Sequence, residues 1–377
     1  MKVVLAPDAF KGSASAPRVA AALGAGWREV RPHDEVIEAP LADGGEGTAE
    51  VLGVVLPGAR YHHAEVVDPV GRPHLALWAE LPDGTAVIDL AAACGLPLLD
   101  RLDPLGSHTF GLGQLLGEAL DHGATRLLVG LGGSASTDGG CGALAALGAR
   151  FLDADGAPLS LGGAALRGLS ELDLSDLRPP PVGGVQLLSD VRAPLLGDGG
   201  SAAVFGPQKG AEAQQIAVLE AGLGRLLDVA SVSSPRSKEV AQLPGAGAGG
   251  GTGFGLAALW SGELLPGAST VADLVGLDAM LAGADVVVTG EGAFDVTSTT
   301  GKVVGSLLDR VPAHVEVALV AGRIDGVVPG RVSDHVELIG LAGTEVAATT
   351  GAEAWIVEAG RALASHLGVV SPGARRR

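Results

Sequence analysis

Between Leu131 and Gly142 the chain reads LGGSASTDGGCG, a stretch that restricts what its surroundings can fold into. An apolar run, Leu127-Leu128-Val129, leads into it, and a small-residue run, Ala143-Leu144-Ala145-Ala146-Leu147, leads out. That order predicts a strand, a glycine-rich turn and a helix. Such a turn aims backbone N–H groups and a helix N-terminus at one point, which holds phosphate without using side chains. Ser134, Ser136 and Thr137 add hydroxyl donors, and Asp138 adds an oxygen ligand suited to Mg2+. Glycines also make tight turns and nothing more. With 60 glycines among 377 residues, the motif alone does not decide.

A chain of this length is expected to form two domains rather than one core. Hydrophobic residues make up 47% and aromatics only 3%, so the core must be aliphatic. The formal charge of −18 disfavours nucleic acid or an anionic membrane as partner. An anionic substrate would need a local cationic site. The basic tail at residues 374–377 reads as a solvated end. Cys94 and Cys141 form neither a disulfide framework nor a metal-ligand cluster, and His62, His63 and His74 show no zinc spacing. Asp8 and Lys11 stand where a signal peptide would need its apolar segment. The apolar run at 90–99 is too short to span a membrane and holds Gly95 and Pro97. A soluble, cytoplasmic protein is expected.

Residues 2–6 read as a buried parallel strand ending at Pro7-Asp8, followed by a helix with Val19, Leu23, Trp27 and Val30 on one face. Asp8 and Lys11 then lie at a strand's carboxyl end, where open α/β sheets place ligands. A second strand, 35–39, runs into PLADGGEGT, two acids (Asp43 and Glu46) framed by glycines ahead of a helix. From Tyr61 the pattern changes to strands at 74–81 and 85–90 around the hairpin signal Pro82-Asp83-Gly84. Asp190 follows a strand at 185–188, and Lys209 sits between Gly206 and Gly210. The segment LPGAGAGGGTGFG, 243–255, reads as a second backbone nest before a helix, with Gly249, Gly250 and Gly251 at its centre. Strands at 285–289, 314–321 and 335–341 and a helix at 352–367 close the chain in the idiom in which it began. The economical reading is a discontinuous Rossmann-like parallel-sheet domain, 1–60 with 282–377, carrying an inserted mixed-sheet α/β domain, 61–281.

Six motifs together closely resemble the bacterial glycerate kinase family, the group that includes the glycerate 2-kinases. They are APDAFKGSASA, PLADGGEGT, GLGGSASTDGG, VFGPQKGA, PGAGAGGGTG, and TGEGAFD with Thr300-Gly301-Lys302. The resemblance implies transfer of the ATP γ-phosphoryl group to a hydroxyl of D-glycerate, with Mg2+, in a cleft between two α/β domains. It favours 2-phosphoglycerate as product, no nucleic acid or membrane partner, and a monomer or homodimer. The chain departs from the family's pattern at Ala9 (usually Ser), Thr137 (usually Asn), Ala193 (usually Asn-Pro begins here) and Ala293 (usually Arg). Val296-Thr297 also stands where a Gln usually follows the Asp.

Phosphoryl transfer needs charge neutralised on the moving group, a metal on the phosphates and a base at the acceptor hydroxyl. The chain has no G-x-x-x-x-G-K-[ST], which excludes a P-loop. Gly132, Gly133, Ser134, Ser136 and Gly249–Gly251 are the expected phosphate cradle. Asp43, Asp138 and Asp190 are the candidates for Mg2+ ligand or general base, with the roles left open; Asp43 and Asp138 are the expected metal ligands. Lys11, with Lys209 second, is expected to bind the acceptor carboxylate or the moving phosphoryl. Asp8 and Glu46 join Lys11 in binding substrate, and Glu291, Asp295 and Lys302 line the nucleotide side. The competing readings are a kinase for another small hydroxy acid and a nucleotide- or metabolite-binding sensor without turnover.

Overall fold

A computed structural model of the chain describes residues 1–299 and 302–367. Thr300 and Gly301 of the last motif and the basic tail therefore lie outside the described residues. The fold is mixed α/β. Its strands are β1 (Lys2–Pro7), β2 (Glu35–Glu38), β3 (Arg60–Val67), β4 (Pro73–Glu80), β5 (Thr85–Asp89), β6 (Arg126–Gly130), β7 (Arg150–Leu152), β8 (Glu171–Asp173), β9 (Val185–Leu188), β10 (Glu263–Leu265), β11 (Val286–Phe294), β12 (Glu316–Ile324) and β13 (Asp334–Glu337). No helix among the described residues is long and apolar enough to cross a membrane.

Two compact units emerge, Met1–Asp43 together with the chain from Ala268, and Gly44–Gly267. These divisions fall earlier in the chain than the 60/61 and 281/282 boundaries expected from sequence. The reasons are local. The helix Thr48–Val55 joins the second unit because Asp89, at the end of β5, accepts from the Gly47 and Ala49 N–H groups at the start of that helix. The segment around 269–278 joins the first because Arg310 holds the Ser269 hydroxyl and pairs with Asp273 and Asp278.

The first unit is a five-stranded sheet in the order β13-β12-β11-β1-β2, and every neighbouring pair is parallel. Ranked by chain order within the unit, that is 2-1-3-4-5, the flavodoxin-like pattern rather than the 3-2-1-4-5-6 of dinucleotide-binding folds. The Rossmann-like expectation is corrected to that extent. Val3, Leu5, Val286, Val288 and Val320 are buried on one face against Val19 and Leu23 of helix Ala16–Val30 and Ile356 and Leu363 of helix Ala352–His366. Leu319 and Ala321 pack on the other face with Val304 of helix Val303–Arg310. Each such aliphatic side chain contributes about 1.5–3 kcal/mol on full burial. The strand expected over 335–341 stops at Glu337, and Leu338–Ala342 is a short helix. A brief apolar run does not distinguish the two states.

In the second unit a six-stranded mixed sheet runs β10-β9-β6-β5-β4-β3. β3, β4 and β5 pair antiparallel, and β5, β6, β9 and β10 pair parallel. The Pro82-Asp83-Gly84 hairpin forms as expected, with Gly84 at φ +81° and the Leu81 N–H donating to Thr85 O. The parallel strands aim their carboxyl ends at the loops that carry Asp89, the glycine-rich stretch and Asp190.

Candidate active site

The sequence candidates fall into two groups, one in each unit. In the first unit a cavity of about 380 Å³ is lined by Asp8, Lys11, Asp43, Glu291, Asp295 and Lys302. It opens at the carboxyl ends of β1 and β11, adjacent strands whose chain connections leave in opposite directions. That is the switch point at which parallel α/β sheets bind ligands. Asp8 is tied there because its N–H donates to Gly290 O at 2.8 Å. The next loop is closed by reciprocal Phe10–Ala14 backbone bonds, leaving Lys11 exposed at its tip. Asp43 arrives alongside because the Leu41 N–H donates to Pro7 O.

Burial, and next the Asp43 carboxylate, push the Asp8 carboxyl up to about 8, against the pull of the Ala9 N–H and Lys11. Glu291 is 8% exposed, and its Oε1 is buried without a hydrogen-bond partner. Burial raises its pKa, against a hydrogen bond from Ser298 and the charge of Lys302. Asp295 is different. Its Oδ1 takes both the hydroxyl and the N–H of Thr297, at 2.6 and 2.7 Å, which hold its pKa below the usual carboxylate range. It organises its own loop. The cavity therefore offers one carboxyl that titrates near neutrality, one buried carboxylate oxygen with nothing bound to it, and lysines at its edge.

In the second unit the glycine-rich stretch follows β6, as expected, but the first N–H groups of its short helix, Cys141–Ala146, are occupied. From Gly139 to Ala143 every backbone N–H is already taken. Gly139 donates to Gly250 O, Gly140 and Gly142 to the Asp138 carboxylate, Cys141 to Asp138 O, and Ala143 to Thr109 Oγ1. Asp138 also accepts from the Thr109 N–H and hydroxyl, both at 2.8 Å. Expected as a metal ligand, the carboxylate is here enclosed in hydrogen bonds and is 1% exposed. Gly132 and Gly133 remain at the accessible end of the turn, with Gly133 exposed at φ +78°.

Lys209 is buried, 2% exposed, at the end of the turn Pro207–Lys209. Its Nζ donates to Ser136 O at 2.5 Å and to Ser134 Oγ at 3.4 Å. Burial lowers its pKa to about 7, against the attraction of Asp138. Lys209 thus stands beneath the turn as a strut rather than at an open anion site. At the expected second nest the glycines face other backbone. A side chain on Gly250 would meet Ser136 O at 1.9 Å, and one on Gly251 would lie 3.1 Å from Gly139 Cα. Those glycines make room for the other glycine-rich loop. Glu46 is exposed, and Asp190 lies half-buried just past β9.

A model of the glycerate kinase family matches residues 3–366, which is nearly all of the described chain. The chain belongs to the glycerate kinase family. It is 41% identical over 307 residues to the glycerate 2-kinase of Escherichia coli K12, covering 80% of each chain. It is 42% identical over 310 residues to the glycerate kinase of Bacillus subtilis 168, covering 80% of this chain and 79% of that one. A crystal structure described as that of a "putative glycerate kinase 2" from Salmonella typhimurium LT2 superposes with a TM-score of 0.81 at 35% identity, over 97% and 98% of the two chains.

Three residues that matter to these sites carry no motif. Asp89 and Thr109 hold the PLADGGEGT loop and Asp138, and Arg323 lines the cavity of the first unit. Asp89 had a usable signal, an acid at the end of a strand like Asp8 and Asp190. Thr109 and Arg323 had none.

Proposed function

We propose that this protein is an ATP-dependent kinase that phosphorylates D-glycerate, with the 2-hydroxyl as the favoured acceptor. The observation that carries the reading is the cavity at the β1/β11 switch point, with Asp8 titrating near neutrality between Asp43, Glu291 and Lys11. A base is most effective when its pKa lies near the working pH. Asp8 would take the acceptor hydroxyl's proton as that oxygen bonds to the γ-phosphorus and ADP leaves. Asp8 therefore replaces Asp138 among the candidates for base. Lys11 would neutralise charge on the moving phosphoryl, and the unpartnered Glu291 Oε1 would accept a hydrogen bond from the acceptor.

No group of three or more His, Cys, Asp or Glu among the described residues is arranged to hold a metal. That suits Mg2+ nonetheless, since Mg2+ is commonly held by one or two carboxylates, water and substrate phosphates. Asp43 is the carboxylate proposed for it; bound there, Mg2+ would neutralise phosphate charge. Gly132, Gly133 and Ser134 are proposed to contact the ATP phosphates, and Asp190 to act at the same end of the second unit's sheet. The test is ATP consumption with Mg2+ and D-glycerate, with enolase coupling to separate 2- from 3-phosphoglycerate. Rapid turnover with an enolase signal is expected. Turnover confined to another hydroxy acid in a panel would replace the substrate, and binding of ATP without turnover on any of them would remove the kinase reading.

A further inference from the structure

The cavity of the first unit carries a guanidinium that the sequence motifs do not predict. Arg323 lies on β12 and lines the cavity, and its register partner on the adjacent parallel strand is Ala293. Partners on neighbouring strands leave the sheet on the same side, about 5 Å apart. A cation projecting from either position would therefore serve the same space. Ala293 is small and exposed, so nothing on β11 fills that space.

The present partners of Arg323 are replaceable. Its Nε pairs with Asp325, and its Nη1 lies 3.7 Å from Glu345 Oε1. Both carboxylates are about as accessible as the guanidinium or more so, at 49% and 71% against 48%. Exposed pairs of this kind contribute little and exchange readily. A guanidinium matches a carboxylate's two oxygens in a way that an ammonium does not. The other cations lining the cavity are Lys11, next to Asp8, and Lys302, whose charge acts on Glu291 and Asp295.

We propose that Arg323 binds the carboxylate of the acceptor and so sets the enzyme's preference for a hydroxy acid over a neutral polyol. The inference rests on the reading of this cavity as the acceptor site. It makes the Ala293 position a relocation of charge across one strand spacing rather than a loss.

Steady-state kinetics test it with wild type, Arg323→Ala, Arg323→Lys and the double variant Arg323→Ala/Ala293→Arg, using D-glycerate and D-glyceramide, its neutral amide. Arg323→Ala is expected to raise KM for D-glycerate about 10- to 100-fold, as for loss of a charge-assisted pair, with KM for ATP unchanged. Discrimination against the amide should collapse. Arg323→Lys should recover it partly, and the double variant should recover most of the loss. An unchanged KM for D-glycerate in Arg323→Ala, beside a normal wild type, overturns this inference alone. If wild type turns over no hydroxy acid, the functional reading fails instead. Equilibrium binding of D-glycerate to wild type and Arg323→Ala then decides the point, and equal affinity overturns the inference.

Discussion

Gly250→Ala tests whether the two glycine-rich loops are packed on each other as described. Gly250 has φ +71°, where an L side chain costs about 1–2 kcal/mol, partly offset by about 0.4–1 kcal/mol from stiffening the unfolded chain. The larger effect is steric. The new Cβ would stand 1.9 Å from Ser136 O and 2.8 Å from Thr137 Cα, whereas ordinary contact begins at 3.4 Å. The carbonyl would have to retreat by about 1.5 Å, and it is backbone, buried, and bound to Lys209. Overpacking of this kind costs about 1–3 kcal/mol or more. The sum, about 1–5 kcal/mol, is a large share of the roughly 5–15 kcal/mol that a folded domain has in hand.

Gly123→Ala is the control, because Gly123 has φ +92° and a Cβ there meets nothing within 4 Å. It carries the conformational strain without the collision. Urea unfolding of both variants, followed by far-UV circular dichroism, should place Gly250→Ala at least about 1–3 kcal/mol below Gly123→Ala. Below its transition the Gly250 variant should also show a raised KM for ATP, since moving Ser136 O displaces the Lys209 and Ser134 contacts. Two variants destabilised equally, within about 0.5 kcal/mol, with unchanged ATP kinetics, would refute the packing argument.

Three further outcomes follow from the same geometry. Asp8→Asn should lower kcat by about 10²–10⁴-fold without unfolding the protein. The wild-type rate should fall as pH drops through the raised Asp8 pKa, because the base must be deprotonated; this limb should be missing from the variant's residual activity. Lys209→Met removes a group whose folded pKa, about 7, lies below the ordinary 10.5. Between those values the unfolded chain binds the extra proton, so wild-type stability minus variant stability should climb with pH across that window in urea titrations. Asp138→Asn turns an amide toward N–H and O–H donors and should destabilise by about 1.5–3 kcal/mol. The Mg2+ concentration for half-maximal rate should stay at the wild-type value, and a large increase would restore Asp138 as a metal ligand.

The acids at strand ends were legible because a parallel sheet has only one ligand-binding edge. Asp8 was expected on it from an apolar run that stops, and Glu291 from the strand expected at 285–289 together with the TGEGAFD motif; β11 itself continues past Glu291 to Phe294. Arg323 was invisible for a complementary reason. Its meaning comes from lying opposite Ala293 on a neighbouring strand, and register between strands separated in sequence has no local signature. Lys209 was legible as a lysine between glycines, but its burial was not. Flanking glycines allow a close approach by any partner, and the partner here is the Ser136 carbonyl. The unit boundaries were missed because the hydrogen bonds that decide them join Asp89 to Gly47, and Arg310 to Ser269, across long stretches of chain.

Glycine is where sequence reasoning was most strained. A glycine removes a Cβ, and the vacated space is equally available to a ligand's phosphate or to the chain's own backbone. At Gly250 the occupant is Ser136 O; at Gly26, where a Cβ would meet Val357 O at 2.0 Å, it is another helix. Helix Ala16–Val30 and helix Ala352–His366 lie so close because Gly26 and Gly360 face the other's backbone. A sequence in which aromatics are only 3% must fill its interior by bringing backbones together, and glycine is the residue that permits it. The many glycines are thus in large part a packing device. Gly133 differs from Gly250 in keeping one side exposed, although a Cβ there would stand 3.0 Å from Ala91 Cβ at φ +78°. Gly133→Ala should therefore carry the left-handed strain of about 1–2 kcal/mol in urea unfolding and also raise the nucleotide KM in steady-state kinetics, whereas the collision at Gly250 acts chiefly on stability.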